Sequence, residues 1–177
     1  MKNTFSFLVI GFMFLAASCS SNEEAGGNSE TAADASQNVQ SSDLDDSTYQ
    51  EVEEFTLRAV GETLEEIAFD KDTLEVNAGS VVKLKLLNEA VDMPMLHNVV
   101  FTEPGKYKQV AMAGSKVGAS GNYIPLDSVG VLAATPIVLP GQTVDMEFKA
   151  PTEPGTYDFV CTYPDHWQRM HGKLIVK

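Results

Sequence analysis

The chain has 177 residues, 44% of them hydrophobic, with 25 acidic side chains against 12 basic ones and a net charge of −13. That length fits one domain with a tail, and the charge argues against nucleic acid, whose phosphates need clustered Lys and Arg. Two cysteines build a disulfide only by pairing with each other, and three histidines exclude most multi-metal and multi-histidine enzyme sites.

The chain opens Met1-Lys2-Asn3, continues with an apolar run from Phe5 to Ala17 and reaches Ser18-Cys19. One positive charge, a short apolar stretch and small residues before a cleavage point describe a secretory signal. The run falls short of the roughly 20 apolar residues that a spanning helix needs. Leu15-Ala16-Ala17-Ser18-Cys19 resembles a bacterial lipoprotein lipobox. That resemblance makes residues 1–18 the signal peptide and Cys19 the lipid-bearing first residue of the mature chain. The other reading is an ordinary secretory signal with an incidental cysteine. A lipoprotein would be exported and lipid-anchored, periplasmic or associated with the outer membrane, and Ser20 after Cys19 fits sorting beyond the inner membrane. If Cys19 carries lipid, Cys161 is left without a disulfide partner in an oxidising compartment, where a spare thiol is unusual.

From Ser20 to about Glu54 the sequence is mostly Ser, Asn, Ala, Gly, Gln, Asp and Glu, with almost no apolar periodicity and no Lys or Arg, and it carries most of the net negative charge. Such a composition buries too little apolar surface to offset its ordering entropy. Residues 19–53 therefore read as a disordered acidic linker, a leash between a lipid and a domain at 54–177.

Beyond Glu54 the hydrophobic period is two. Val82, Leu84 and Leu86 alternate with Lys83 and Lys85, and Val144, Met146 and Phe148 alternate with polar residues. Turn signals separate the runs at 77–80, 140–142 and 151–155. Further strands are expected at 54–60, 64–69, 97–102, 131–138, 155–161 and 172–177. Many short strands at this spacing predict an all-β sandwich. The segment 104–125 is irregular, weakly helical near Lys106–Lys116 and rich in glycine, and reads as a flap over the sandwich edge.

The chemistry concentrates in Cys161-Thr162-Tyr163-Pro164-Asp165-His166-Trp167-Gln168-Arg169-Met170. Alternation puts Tyr157, Phe159 and Cys161 on one inward strand face. A turn at Pro164-Asp165 lets His166 and Met170 fold back toward the thiol. Upstream, His97 opens a strand on the same face as Val99 and Phe101. One thiolate, two imidazoles and a thioether form the ligand set of a blue-copper site. Each of the four taken singly reads as core or as a strand-end histidine, but together they have the right spacing and strand context for one copper ion. A Cys–His nucleophile is the enzymatic alternative, and the sequence offers it no oxyanion hole and no orienting third group. His171, the remaining histidine, reads as a surface residue.

Cys-x4-His-x3-Met is similar to the loop of azurins and auracyanins, and residues 60–177 resemble an azurin-type cupredoxin. Ile67 to Leu74, His97-Asn98, Cys161-Thr162-Tyr163-Pro164 and Gly172-Lys173-Leu174 are the other local matches. The resemblance implies a Greek-key β-sandwich. It also implies one type 1 copper held by His97, Cys161, His166 and Met170, with Asn98 and Thr162 in support. There Asn98 would tie the two ligand segments together, and its backbone N–H would moderate the Cys161 sulfur. It implies an electron carrier that cycles Cu(I)/Cu(II) rather than an enzyme, with redox proteins such as cytochromes or terminal oxidoreductases as partners, a membrane anchor at Cys19 and a monomeric state. The alternative is a copper-delivery lipoprotein whose metal is cargo. The chain departs from azurins in having Leu96 before the first histidine where they have Gly, in lacking their disulfide, and in carrying Trp167 after the second histidine. In the family the second histidine is the exposed edge through which electrons pass. Here it is expected between Pro164, Trp167 and the methionines Met93 and Met95, which serve either as core or as a docking rim.

Overall fold

The computed structural model describes residues 51–91, 95–126 and 130–177. The signal peptide, Cys19 and nearly all of the expected linker lie outside the described residues, as does Asp92-Met93-Pro94.

Two mixed sheets face each other. The first contains β1 (Val52–Val60), β2 (Ala68–Phe69), β4 (Val81–Asn88) and β7 (Thr143–Lys149), in the order β2-β1-β4-β7. The second contains β3 (Thr73–Val76), β5 (Val100–Thr102), β6 (Val131–Ala134), β8 (Gly155–Val160) and β9 (His171–Val176), in the order β3-β9-β8-β5-β6. The pairs β1–β4 and β3–β9 are parallel and the others antiparallel. This is the cupredoxin fold.

The period-two pattern explains the packing. Val82, Leu84 and Leu86 of β4 are buried, while Lys83 and Lys85 point out. They meet Leu74, Phe101, Phe159 and Leu174 of the facing sheet in one core. Aromatic edges tighten it: Phe101 lies 4.7 Å from Phe148 and 5.8 Å from Phe159, and Phe69 stands edge-on to Phe159 at 5.5 Å, a favourable geometry for ring quadrupoles.

Several expected boundaries move. The first strand begins at Val52, so Val52 and Glu53 belong to the sandwich and not to the linker. Only Ala68–Phe69 of the expected strand 64–69 is extended. Residues before it form a turn in which Glu66 and Ile67 both donate to the Thr63 carbonyl, at 3.0 and 2.9 Å, and the exposed run Thr63 to Glu66 has no apolar alternation to hold a strand. The four-residue β3 was not anticipated, although Leu74 and Val76 alternate inward. The strand expected at 97–102 starts at Val100, with His97 in an isolated bridge to Val138. The strand expected at 131–138 stops at Ala134, just before Pro136, which has no N–H for a ladder.

The expected flap is largely a helix, α1 (Tyr107–Val117). It does not merely cover an edge: Val110 and Ala111 are fully buried against Val100 and Val160, forming a second small core on the outer face of β5 and β8. Gly114 is a point of close approach of this helix to its neighbours. A Cβ at that position would lie 2.3 Å from the Tyr123 carbonyl oxygen and 2.8 Å from Thr162 Cβ, so the missing side chain sets how closely α1 approaches the strand loops.

Candidate metal centre

Alternation along β8 and into the residue after it sends Phe159 and Cys161 into the sandwich and Val160 out toward α1. Beyond Cys161 the chain reverses. Asp165 takes a left-handed conformation (φ 66°), and His166–Gln168 form a 3-10 turn. Met170 N–H then donates to the His166 carbonyl at 2.8 Å, and Cys161 N–H donates to the Met170 carbonyl at 2.9 Å. These two bonds clamp the loop ends, so that Cys161, His166 and Met170 share one pole of the sandwich. The fourth residue arrives from the neighbouring segment: His97 exchanges backbone bonds with Val138, at 3.3 and 2.7 Å.

The side chains converge. Cys161 Sγ lies 3.7 Å from His166 Nδ1 and 4.0 Å from His97 Nδ1, and the two Nδ1 atoms are 3.2 Å apart. Among the described residues, these three form the only group of His, Cys, Asp or Glu side chains that offers metal donors within 4.8 Å of one another. Met170 is fully buried in the same core cluster as Cys161. His97 Nε2 is buried without a hydrogen-bond partner among the described residues, which leaves Nδ1 as the nitrogen engaged with the other donors.

Burial sets the protonation. It lowers His97 to about 3, helped by nearby His166, and lowers His166 to about 4 against the opposing pull of Asp165. Both imidazoles are therefore neutral near pH 7, with lone pairs free for a metal. Burial pushes the Cys161 thiol up to about 11. The backbone N–H groups of Asn98 and Tyr163 act in the opposite direction, favouring thiolate. Cys161 is a free thiol.

Asn98 and Thr162 stitch the two ligand segments. The Asn98 carboxamide oxygen accepts from Thr162 N–H, and its Nδ2 donates to Thr162 Oγ1, both at 2.8 Å. Sequence reasoning missed the third party. Asn98 Nδ2 also donates to the Asn122 carbonyl at 3.1 Å, and Thr162 Oγ1 donates to the Tyr123 carbonyl at 2.6 Å. Asn122 and Tyr123 both hold positive φ, 54° and 56°. The segment that leaves α1 is thereby wired into the ligand loops through its backbone, which no side-chain motif announces. Asn88 was missed as well: its buried Nδ2 donates to the Met95 carbonyl, two residues before His97, and to the carbonyl of Val138, its bridge partner, at 2.7 and 3.2 Å.

The surroundings of His166 differ from the expected exposed edge. Its side chain is 1% exposed, with the Tyr163 ring at 4.7 Å and Tyr123 behind that ring at 5.0 Å. Met95 is half-buried against the main core. Trp167 turns away to pack on the α1 side. His171 is exposed, stacked on Tyr107 at 4.8 Å.

The donor set fits copper. Two imidazoles, a thiol and a thioether, with no carboxylate in the cluster, are soft and borderline donors suited to that metal and unsuited to Mg²⁺ or Ca²⁺.

Comparison with known proteins agrees. The chain is 36% identical over 119 residues to auracyanin-A of Chloroflexus aurantiacus, covering 66% of this chain and 72% of that protein. It is 28% identical to the azurin of Alcaligenes faecalis, covering 58% and 90%. The solved structure of auracyanin A, described as a "blue" copper protein from that Chloroflexus, superposes with a TM-score of 0.63 at 35% identity, covering 71% of this chain and 99% of that one. A model of the copper binding proteins of the plastocyanin/azurin family matches residues 56–177, and the chain belongs to that family.

Proposed function

We propose that this protein carries single electrons between redox partners at the membrane or in the periplasm, with His97, Cys161, His166 and Met170 holding one copper ion. The observation that carries this reading is the enclosure of the donors: His97, Cys161 and Met170 are fully buried and His166 nearly so. Copper bound there would alternate between Cu(I) and Cu(II), gaining and losing one electron. The chain's contribution is to keep the donors in place through that change. Cys161, His166 and Met170 come from one clamped loop and His97 from a bridged strand, and the Asn98–Thr162 bonds fix one to the other. Neutral imidazoles and a thiol enclosed in apolar core exclude water, which limits reorganisation on electron transfer. The amides of Asn98 and Tyr163 temper the charge on the sulfur.

The same enclosure favours a retained metal over cargo, because handing the ion to an acceptor requires an opening toward the donors. We further propose export and lipid attachment at Cys19, which places a monomeric carrier beside membrane-associated redox proteins. A Cys19→Ala chain that still fractionates with membranes would overturn that placement.

The site is tested by titrating the chain with Cu(II) beside Cys161→Ser, read by visible absorption and EPR. An intense blue thiolate-to-copper band with narrow hyperfine splitting, saturating at about one equivalent and lost in the variant, is expected. Colourless binding, or equal binding by the variant, overturns the reading. Rapid transfer of the bound metal to an apo acceptor would instead support delivery.

A further inference from the structure

The stretch from Pro104 to Leu126 contains Lys106, Lys108 and Lys116 and no acidic residue, in a chain whose net charge is −13. Lys108, Met112 and Lys116 follow one another at i, i+4 and i+8 along α1, so they form one line on the helix. All three are exposed, Met112 at 52%. Among the described residues, the lysines and arginines that make no ion pair are Lys106, Lys108, Lys116, Arg169, Lys83 and Lys149. The first four belong to α1, its leading edge and the ligand loop. Lys83 and Lys149 belong to the other sheet, where Glu147 lies across from Lys83.

This cationic line is joined to the metal-binding loop. Lys108 Nζ sits 4.9 Å from the centre of the Trp167 ring, a cation–π distance. Trp167 packs against the small core that Val110 and Ala111 build under α1, and it is covalently bonded to His166. The route from His166 to the protein surface on this side is therefore a single residue long and ends in an aromatic ring under a lysine.

We propose that this face, formed by Lys108, Met112, Lys116 and Trp167, docks the acidic surface of a redox protein, and that the electron passes through His166 and Trp167. The proposal rests on the carrier reading given above. One electron moves: the site is oxidised by one, a one-electron centre of the partner is reduced by one, and no bond in this chain forms or breaks. Cations that make no ion pair among the described residues, on an acidic molecule, orient it as it approaches an acidic partner. Met112 offers a polarizable contact that suits short-lived complexes. A protein partner is favoured over an anionic lipid surface because the patch is built onto the residue following a metal ligand, and lipid headgroups have no use for that connection.

The test is a ¹⁵N–¹H NMR titration of the chain with poly-L-glutamate, standing in for an acidic protein face, beside a titration with phosphatidylglycerol vesicles. Perturbations are expected over 107–117 and 166–171, with apparent affinity falling at least about tenfold in Lys108→Glu/Lys116→Glu and again in about 0.15 M salt. Lys83→Glu/Lys149→Glu should bind as the parent does. With copper loaded, oxidation by anionic hexacyanoferrate(III) should slow in the α1 variant by a similar factor, while oxidation by cationic tris(phenanthroline)cobalt(III) should not. Perturbation of another surface, no perturbation at all, or vesicles binding this face as tightly as polyglutamate would each overturn the proposal. Failure of the carrier reading is separable: it removes the blue band and leaves the polyglutamate map intact.

Discussion

Asn98 and Thr162 exchange two hydrogen bonds of 2.8 Å, one through the Thr162 backbone and one through its hydroxyl. They lie 64 positions apart, each directly after a residue of the candidate copper site, so this pair fixes the distance between His97 and Cys161 more directly than the sheets do. Both are fully buried. Asn98→Ala removes these bonds and the one to the Asn122 carbonyl, leaving Thr162 N–H and that carbonyl unsatisfied. The expected loss of stability is about 2–4 kcal/mol, seen as a lower urea midpoint at unchanged m. The blue band of the loaded variant should shift and its copper should leave faster. A midpoint within error of the parent would show that the clasp is dispensable.

Glycine to alanine inside a helix ordinarily gains up to about 1 kcal/mol. At Gly114 the sign should reverse, because the new Cβ meets the Tyr123 carbonyl oxygen at 2.3 Å and Thr162 at 2.8 Å. At Gly172 it meets the Phe159 ring at 2.2 Å and the Asp72 carbonyl oxygen at 2.5 Å. Each Ala variant should lose about 1–3 kcal/mol by overpacking. Gly114→Ala should also perturb the copper spectrum, since Thr162 adjoins Cys161, and Gly172→Ala should perturb it less. Thermal melts and visible spectra check both. A stabilised Gly114→Ala would mean that α1 has room to move.

The ligand loop was legible because its information is local: Cys161, His166 and Met170 lie within ten residues, and strand alternation orients the thiol. His97 was legible because a chain with three histidines offers few candidates. The sandwich followed from period-two runs such as Val82 to Leu86. What escaped depends on backbone groups brought together only by folding. The carbonyls of Asn122 and Tyr123 have no side-chain signature. Gly114 reads as a loop residue until the helix packs on Thr162. The short β3 has only Leu74 and Val76 to declare it, and Pro136 shortened a strand whose apolar run continues to Val138. The packing of Trp167 on the α1 side was illegible for the same reason, as Val110 and Ala111 of that small core sit on a helix read as a flap.

Metal binding should release a proton with a definite source. The imidazoles of His97 and His166 are already neutral at pH 7, lowered by burial to about 3 and about 4, whereas the Cys161 thiol, raised to about 11, must ionise to bind. Calorimetry of Zn(II) binding in buffers of different ionisation enthalpy should therefore give about one proton released per ion at pH 7. The same titration of Cys161→Ala should give none. Release of two or more protons would show that the histidines are charged in the metal-free protein.

The same shifts give the metal-free protein a stability maximum in pH. In the unfolded chain the two histidines titrate near 6.5, well above their folded values, so below that pH the unfolded state holds more protons. Stability is therefore full above about pH 6.5 and falls as pH drops toward the folded values. Cys161 behaves oppositely: the unfolded thiol ionises near 9.0 and the folded one only near 11, so stability falls as pH rises through that interval. Urea midpoints of the metal-free protein should be highest between about pH 6.5 and 9. Between pH 7 and 5, above the range where carboxylates dominate, His166→Gln should lose part of the slope. Cys161→Ala should flatten the alkaline limb and leave the acid limb unchanged. An alkaline limb that survives in Cys161→Ala would assign it to other groups, and the thiol would then be more accessible to water than its packing against His97 and His166 implies.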